Sequence, residues 1–361
     1  MKNIKFILIT LVLILIALAS SSCSGSAAIA SSWPGLSTDG ETAYLAYNQF
    51  VYAVDLGNGS EKWRFPTEGN NRSTFFAPPE KTPDGQLLIG SYNNILHSID
   101  AITGQEKWSF TGANNRYIAN PLATDNAIFA PTGGKFLYAL DLQGKLKWEY
   151  ETEGALWAQP LFSLECNCLY LPSMDHYLYA INAENGALIW KSEKFNGSIV
   201  GTPALSPDGN LYFGTFSSEI IQLNTQTHQS KQLIATDGWV WGGPVLQDNR
   251  LYFGDLKGSF YAVDINTGDV IWKIQADGAI IGSPFVDNDH IYFGTESGFL
   301  YGLDTNGKPT WNPNPKFDGS IFTTPQVSNS TILVSLFKSD KLLVALDNQG
   351  TIKWSLQPEK K

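Results

Sequence analysis

Cysteine and histidine are the residues of this chain with ready metal, redox or nucleophilic chemistry, and there are three of the first and four of the second. Cys166 and Cys168 form the one close pair, in Leu164-Glu165-Cys166-Asn167-Cys168-Leu169. Residues two apart on a strand point to the same face, so the pair could hold a metal or carry redox chemistry. No second Cys or His pair completes a zinc set, and His97, His176, His228 and His290 stand alone in the sequence. Two small apolar residues, or a local disulfide formed outside the cytoplasm, account for the pair more simply. The chain has no CxxCH haem site, no glycine-rich phosphate loop and no GxSxG nucleophile turn. Its acids fall mostly in turns and at repeated positions, so no catalytic residue and no metal ligand is assigned.

The frame that positions these residues is read from composition first. Charged residues are 16 % and aromatics 13 % of 361 residues, with 33 Gly and 18 Pro spread throughout, which fits a turn-rich β protein and excludes a disordered chain, a coiled coil or a collagen. The net charge of −10 argues against a nucleic-acid partner, because neutralising phosphates needs a basic excess. The N-terminus carries Lys2 and Lys5, then an apolar run from Phe6 to Ala19, then Ser20-Ser21-Ser22-Cys23. This has the form of a secretory leader, and the run is short for a membrane span. Residues 1–22 are read as signal peptide and 23–32 as a lipidated Cys23 with a tether beginning Ser24-Gly25-Ser26. Ser20 stands where a lipoprotein box usually has Leu; ordinary cleavage after Ala17-Leu18-Ala19 is the alternative and would leave no lipid.

Eight segments align after the leader, each with a short apolar strand ending in Asp or Asn, a turn and a second strand. Their Asp/Asn residues are Asp55, Asp100, Asp141, Asn182, Asn224, Asp264, Asp304 and Asp347, spaced by 45, 41, 41, 42, 40, 40 and 43 residues. An upstream proline keeps the same beat at Pro34, Pro79, Pro121, Pro160, Pro203, Pro244, Pro284 and Pro325. Each unit reads as four short strands, A to D, rich in β-branched and aromatic residues and separated by Gly- and Asn-containing turns. A four-stranded unit of this length, repeated radially, is a propeller blade. The expectation is an all-β, eight-bladed β-propeller of four-stranded antiparallel blades over residues 33–357, with 358–361 as a tail. Closure of the ring is open at this stage, since 27–33 could add an edge strand to the last blade.

The unit Ala262-Val263-Asp264-Ile265-Asn266-Thr267-Gly268-Asp269-Val270-Ile271-Trp272 resembles the tryptophan-docking motif of pyrroloquinoline-quinone-like, quinoprotein-type propellers. The resemblance covers nearly all of the mature chain. It implies that Trp63, Trp108, Trp148, Trp190, Trp272, Trp311 and Trp354 each dock on a neighbouring blade, and that the Asp serves its turn. The fifth unit departs, with Asn224, Thr227-His228 and Gln232 in place of Asp, Thr-Gly and Trp, and is expected to pack less well. Two functional classes occur in such a family. Quinone-dependent dehydrogenases hold pyrroloquinoline quinone over Ca²⁺, commonly with a disulfide between adjacent cysteines; Cys166 and Cys168 are not adjacent, so neither PQQ nor Ca is expected as a cofactor. The other class is the non-catalytic, membrane-tethered scaffold, one use of which is outer-membrane β-barrel assembly. That class is preferred, with envelope proteins, among them barrel-assembly components, as partners. A surface sensor or carbohydrate-binding propeller is a further alternative. The expected location is the periplasm or cell surface through a lipid anchor, otherwise secreted, as a monomer.

Strand order divides the loops between two faces. The A-to-B and C-to-D turns are short, whereas the D-to-A and B-to-C connections are longer and more individual, and function is expected there. Arg72, Phe75, Arg116, Tyr117 and Trp239 are the candidate partner-binding residues. The third position before each proline (Phe76, Ile118, Trp157, Val200, Trp241, Ile281, Phe322) is always large and apolar, and is expected to pack between blades. The fifth (Thr74, Arg116, Ala155, Ser198, Trp239, Ala279, Ser320) shares neither size nor polarity and is expected to be exposed.

Overall fold

The computed structural model describes residues 32–69 and 73–357; the leader, Cys23, Arg72 and the tail lie outside the described residues. Among the described residues thirty-one strands form eight antiparallel sheets, each built from one contiguous repeat. The first runs outward through Gly35–Thr38, Thr42–Tyr47, Phe50–Asp55 and Glu61–Phe65. The middle strands are buried on both faces because a sheet packs on each side of them. The fourth strand alternates exposed and half-buried residues, as an outer edge should. Neighbouring first strands touch one another, which puts them around the axis.

The seventh sheet has three strands, Phe285–Val286, Ile291–Gly294 and Leu300–Leu303. Its fourth place is taken by the segment around Pro309, Pro313 and Pro315, which cannot donate to a ladder. That segment touches the edge only through isolated bridges, Leu303 with Pro309 and Phe299 with Lys316.

Eight apolar clusters lie between successive sheets, the last joining Leu333, Leu343 and Ala345 of the final blade to Leu45 and Val54 of the first. The docking tryptophans lock the outer rim. Six of them donate the indole N–H to a carbonyl of the next blade: Trp63 to Ala101, Trp108 to Leu142, Trp148 to Ala183, Trp272 to Thr305, Trp311 to Asn348 and Trp354 to Leu56, at 2.9–3.2 Å. Each of these rings lies over a turn glycine at positive φ or its equivalent; a Cβ on Gly104 would stand 2.7 Å from Trp63. The repeated acid does serve its turn: Asp264 Oδ1 accepts the N–H groups of Asn266 and Thr267 at 2.8 and 3.3 Å.

The fifth repeat solves its departures locally. His228 adopts φ 59° where its sisters have Gly, and Trp190 lies against its ring at 4.9 Å. Gln232 is exposed, and the glycine of the next blade, Gly268, meets Leu233 instead of an indole. Ring closure uses the general device. The last sheet is completed by its own strands, Gln326–Ser328 to Ile352–Leu356, and Trp33 belongs to no strand.

Candidate functional site

The loops before each inner strand carry an inward, outward alternation set by the blade interface. The fourth residue before the proline (Phe75, Tyr117, Leu156, Ile199, Val240, Ile280, Ile321) is fully buried in every case. Several fill the space over a glycine of the adjacent strand: Tyr117 over Gly90, Val240 over Gly214, Ile280 over Gly254 and Ile321 over Gly294. Phe75 and Tyr117, expected at a partner surface, are therefore core residues. They sit on the chosen loops but at the position that turns inward, between blades 1 and 2 and blades 2 and 3. Burial pushes the Tyr117 phenol well above its ordinary value, and its hydroxyl has no hydrogen-bond partner among the described residues.

The third position does something else. Trp157 and Trp241 are half-buried and each reaches a ring on a blade that is not adjacent; Phe322, also half-buried, reaches across the joint between the last blade and the first. Trp241 of blade 6 meets Trp157 of blade 4 at 6.0 Å and Trp33, which leads into blade 1, at 5.8 Å. Trp33 in turn meets Phe322 of blade 8 at 5.6 Å. Rings from such separated blades can meet only near the axis, so Trp157 and Trp241 gather at the mouth of the ring, whereas Phe76 and Val200 are buried, Phe76 against Tyr47 of the preceding blade.

From that mouth the aromatic surface extends to Trp239. Its ring is parallel-stacked on Phe216, 5.2 Å away, and Phe216 also meets Trp241 at 5.1 Å. Trp239 is 52 % exposed. The loop holds it there: Asp237 N–H donates to Tyr261 Oη, Gly238 N–H to Asp255 Oδ2, and Leu256 N–H to the Trp239 carbonyl, each at 2.9 Å. Asp255 is buried and accepts in addition from the N–H groups of Lys257 and Ser259 and from Tyr261 Oη, so the platform rests on a satisfied carboxylate.

Arg116 is exposed on the same face. Its guanidinium lies 5.1 Å over Tyr92, which meets Phe76 at 4.9 Å, and Phe76 meets Tyr47 at 6.1 Å. Trp239 and Arg116 thus belong to two chains of rings, one joining blades 4, 5, 6 and 8 with Trp33 at the entry to blade 1, and one over blades 1 to 3. Cation–π and stacked pairs of this kind fix the side chains before any partner arrives.

Trp33, Phe216 and Tyr92 do not stand out in the sequence, because they lie in the connections and not at repeated positions. Glu80 carries no motif either. That carboxylate follows its proline where four sister blades have Leu122, Leu161, Val245 and Phe285 and none has another charged residue, a difference legible once the repeats are aligned. Burial pushes Glu80 up to about 7, against hydrogen bonds from the Ala123 N–H and the Asn120 and Gln159 side chains that lower it. Cys166 and Cys168 form a disulfide on the opposite face. Among the described residues no three His, Cys, Asp or Glu side chains gather as a metal site would require.

A family profile described as "Outer membrane protein assembly factor BamB" matches residues 47–241 and 233–316. A search of curated proteins gives no match. Among solved structures, BamB from Moraxella catarrhalis superposes with a TM-score of 0.69 at 18 % identity, covering 83 % of this chain and 92 % of that one. The computationally designed Ika8 protein superposes with a TM-score of 0.72 at 16 % identity, covering 91 % and 98 %. At these identities the two structures speak for the fold, and a natural assembly factor and a designed protein share it.

Proposed function

Because the chain belongs to the repeat-propeller family described as outer membrane protein assembly factor BamB, we propose that it is a non-catalytic scaffold of the cell envelope that serves the assembly of outer-membrane proteins. It binds a protein partner through the face that carries Trp239 and Arg116. The observation that carries this reading is the exposed Trp239 ring stacked on Phe216, beside a mouth filled by the chain's own Trp33, Trp157 and Trp241. A rigid aromatic platform and an arginine held by cation–π contact are the residue types that dominate protein interfaces. The docking tryptophans face neighbouring blades and Trp33, Trp157 and Trp241 are half-buried at the mouth, whereas the outer face of the Trp239 ring stays open to solvent. Cys23 anchors the protein in the membrane through lipid, and the propeller projects into the periplasm.

Affinity capture of the native protein from detergent-solubilised envelopes tests the reading. Barrel-assembly components are expected with the wild type and lost with Trp239→Ala or Arg116→Ala at unchanged thermal unfolding. Capture unaffected by both substitutions removes the patch. Saturable reduction of an artificial acceptor that depends on added pyrroloquinoline quinone and Ca²⁺ overturns the non-catalytic assignment.

A further inference from the structure

The Cys166–Cys168 disulfide lies in the A-to-B turn of blade 4, on the face opposite Trp239. Seven sister turns close without a crosslink. In blades 2, 3 and 5 a hydroxyl accepts the closing N–H: Gln86 to Thr82 Oγ1 at 2.9 Å, Ala127 to Thr124 Oγ1 and Asn210 to Ser206 Oγ at 3.2 Å. Asp39 and Asp287 do the same in blades 1 and 7, at 2.9 and 2.7 Å. Blades 6 and 8 use two-residue turns whose central residues, Asp248-Asn249 and Asn329-Ser330, are all left-handed.

The blade 4 hairpin does not depend on its sulfurs either. Its register is set by the pairs Leu161 with Tyr170, Phe162 with Leu169 and Ser163 with Cys168. Asn167 supplies the left-handed residue at φ 46°, and its carbonyl accepts from Ala183 N–H at 3.0 Å. A crosslink constrains the unfolded chain according to the loop it closes, and this one joins residues two apart. The bond is therefore dispensable to the fold.

Its two ends differ in access. Cys168 is buried, whereas Cys166 is exposed at the tip of the turn. Beside it Leu164 is 86 % exposed, an apolar contact for an incoming chain. Exposed disulfides are the labile ones, and a buried neutral thiol is a stable product form for Cys168.

We propose that Cys166 and Cys168 form a redox site that oxidises cysteine pairs of exported polypeptides, an activity separate from partner docking on the opposite face. A thiolate of the polypeptide attacks Cys166 Sγ. The Cys166–Cys168 bond breaks, and its electron pair goes to Cys168 Sγ, which takes a proton from water. The polypeptide's second thiolate then attacks its own sulfur in the mixed disulfide, and Cys166 leaves with the electron pair and is protonated. The polypeptide loses two electrons and two protons, and the cysteine pair gains them.

The test uses the full chain carrying Cys23→Ser, so that the pair holds its only sulfurs able to exchange. The oxidised protein is mixed with a reduced synthetic peptide bearing two cysteines next to a leucine, and both species are followed by alkylation and intact mass. The expected result is stoichiometric peptide oxidation with appearance of two protein thiols, and a trapped peptide adduct at Cys166 when the peptide carries a single cysteine. A Cys166→Ala, Cys168→Ala protein should unfold at an unchanged temperature and leave the peptide reduced. The proposal is overturned if the disulfide survives excess peptide and a glutathione buffer unreacted, or if the double variant unfolds at a clearly lower temperature, which would make the bond structural.

Discussion

The indole N–H of Trp354 donates to the carbonyl of Leu56 at 3.0 Å, across 298 residues of chain. This contact closes the ring with the same bond that Trp63 makes to Ala101 one blade further on. The joint between last and first blade is reinforced by Asn329 Nδ2 donating to the Gly40 carbonyl at 2.8 Å. No strand needs to be exchanged between the chain ends, because the interface that repeats within the chain also fits between its two ends.

Removing a docking indole should therefore cost far more than removing the exposed one. Trp272→Ala loses a half-buried ring stacked on Phe260 and its bond to Thr305, and a loss of about 2–4 kcal/mol is expected. Trp239→Ala should change stability by no more than about 0.5 kcal/mol. Denaturant unfolding of both proteins checks the contrast; equal losses would make Trp239 architectural.

Gly307 should not accept a side chain. It holds φ 80°, and a Cβ there would stand 2.8 Å from the Trp272 ring. Gly307→Ala is expected to destabilise by about 1–3 kcal/mol, from left-handed strain together with a displaced indole. A milder loss in the background of Trp272→Ala would show that the two effects share one contact.

Glu80 should make stability fall towards neutral pH. Its carboxyl is raised from 4.5 to about 7, so the folded state retains a proton that the unfolded chain releases. Its contribution is fully present below about pH 4.5 and lost as pH rises through about 7. Glu80→Gln should flatten this stretch of the pH profile and leave the variant more stable than wild type at pH 8, by about 1–3 kcal/mol. An unchanged profile would show that Glu80 is ionised without penalty.

Asp39 works in the opposite sense. Burial raises its carboxyl, but the Lys81 ammonium, the N–H groups of Thr42 and Glu41 and the Tyr44 hydroxyl outweigh it and hold it at about 2. Its stabilisation is present above the unfolded value of 3.8 and disappears as pH falls towards 2. Asp39→Asn should lower stability at pH 7 by about 1–2 kcal/mol and reduce the acid sensitivity between pH 4 and about 2. Urea midpoints measured across that range check the sign.

Cys23 should be the first residue of the mature protein and carry acyl chains. Intact mass of protein extracted from membranes should show this, and Cys23→Ser should move the protein to the soluble fraction. A mature chain starting at Ser20 would mean that no lipid holds it.

What the sequence determined by itself is the architecture. Eight prolines and eight Asp or Asn residues at a nearly constant interval specify eight copies of one unit, and a four-stranded unit with a docking indole has few ways to bury its two faces other than against copies of itself. Even the turn role of Asp264 was legible, since it depends on atoms two and three residues away. What only the tertiary structure decided is which loop residues meet solvent. Arg116 and Tyr117 are neighbours in sequence, yet one is exposed and the other buried over Gly90, because the adjacent blade stands on only one side of the loop. Trp157 and Trp241 look like interface residues in the alignment but meet near the axis, since the curvature of a closed ring brings non-adjacent blades together there. The disulfide state of Cys166 and Cys168 and the raised carboxyl of Glu80 belong to the same class: each depends on neighbours placed by the fold, which a repeat read along the chain does not reveal.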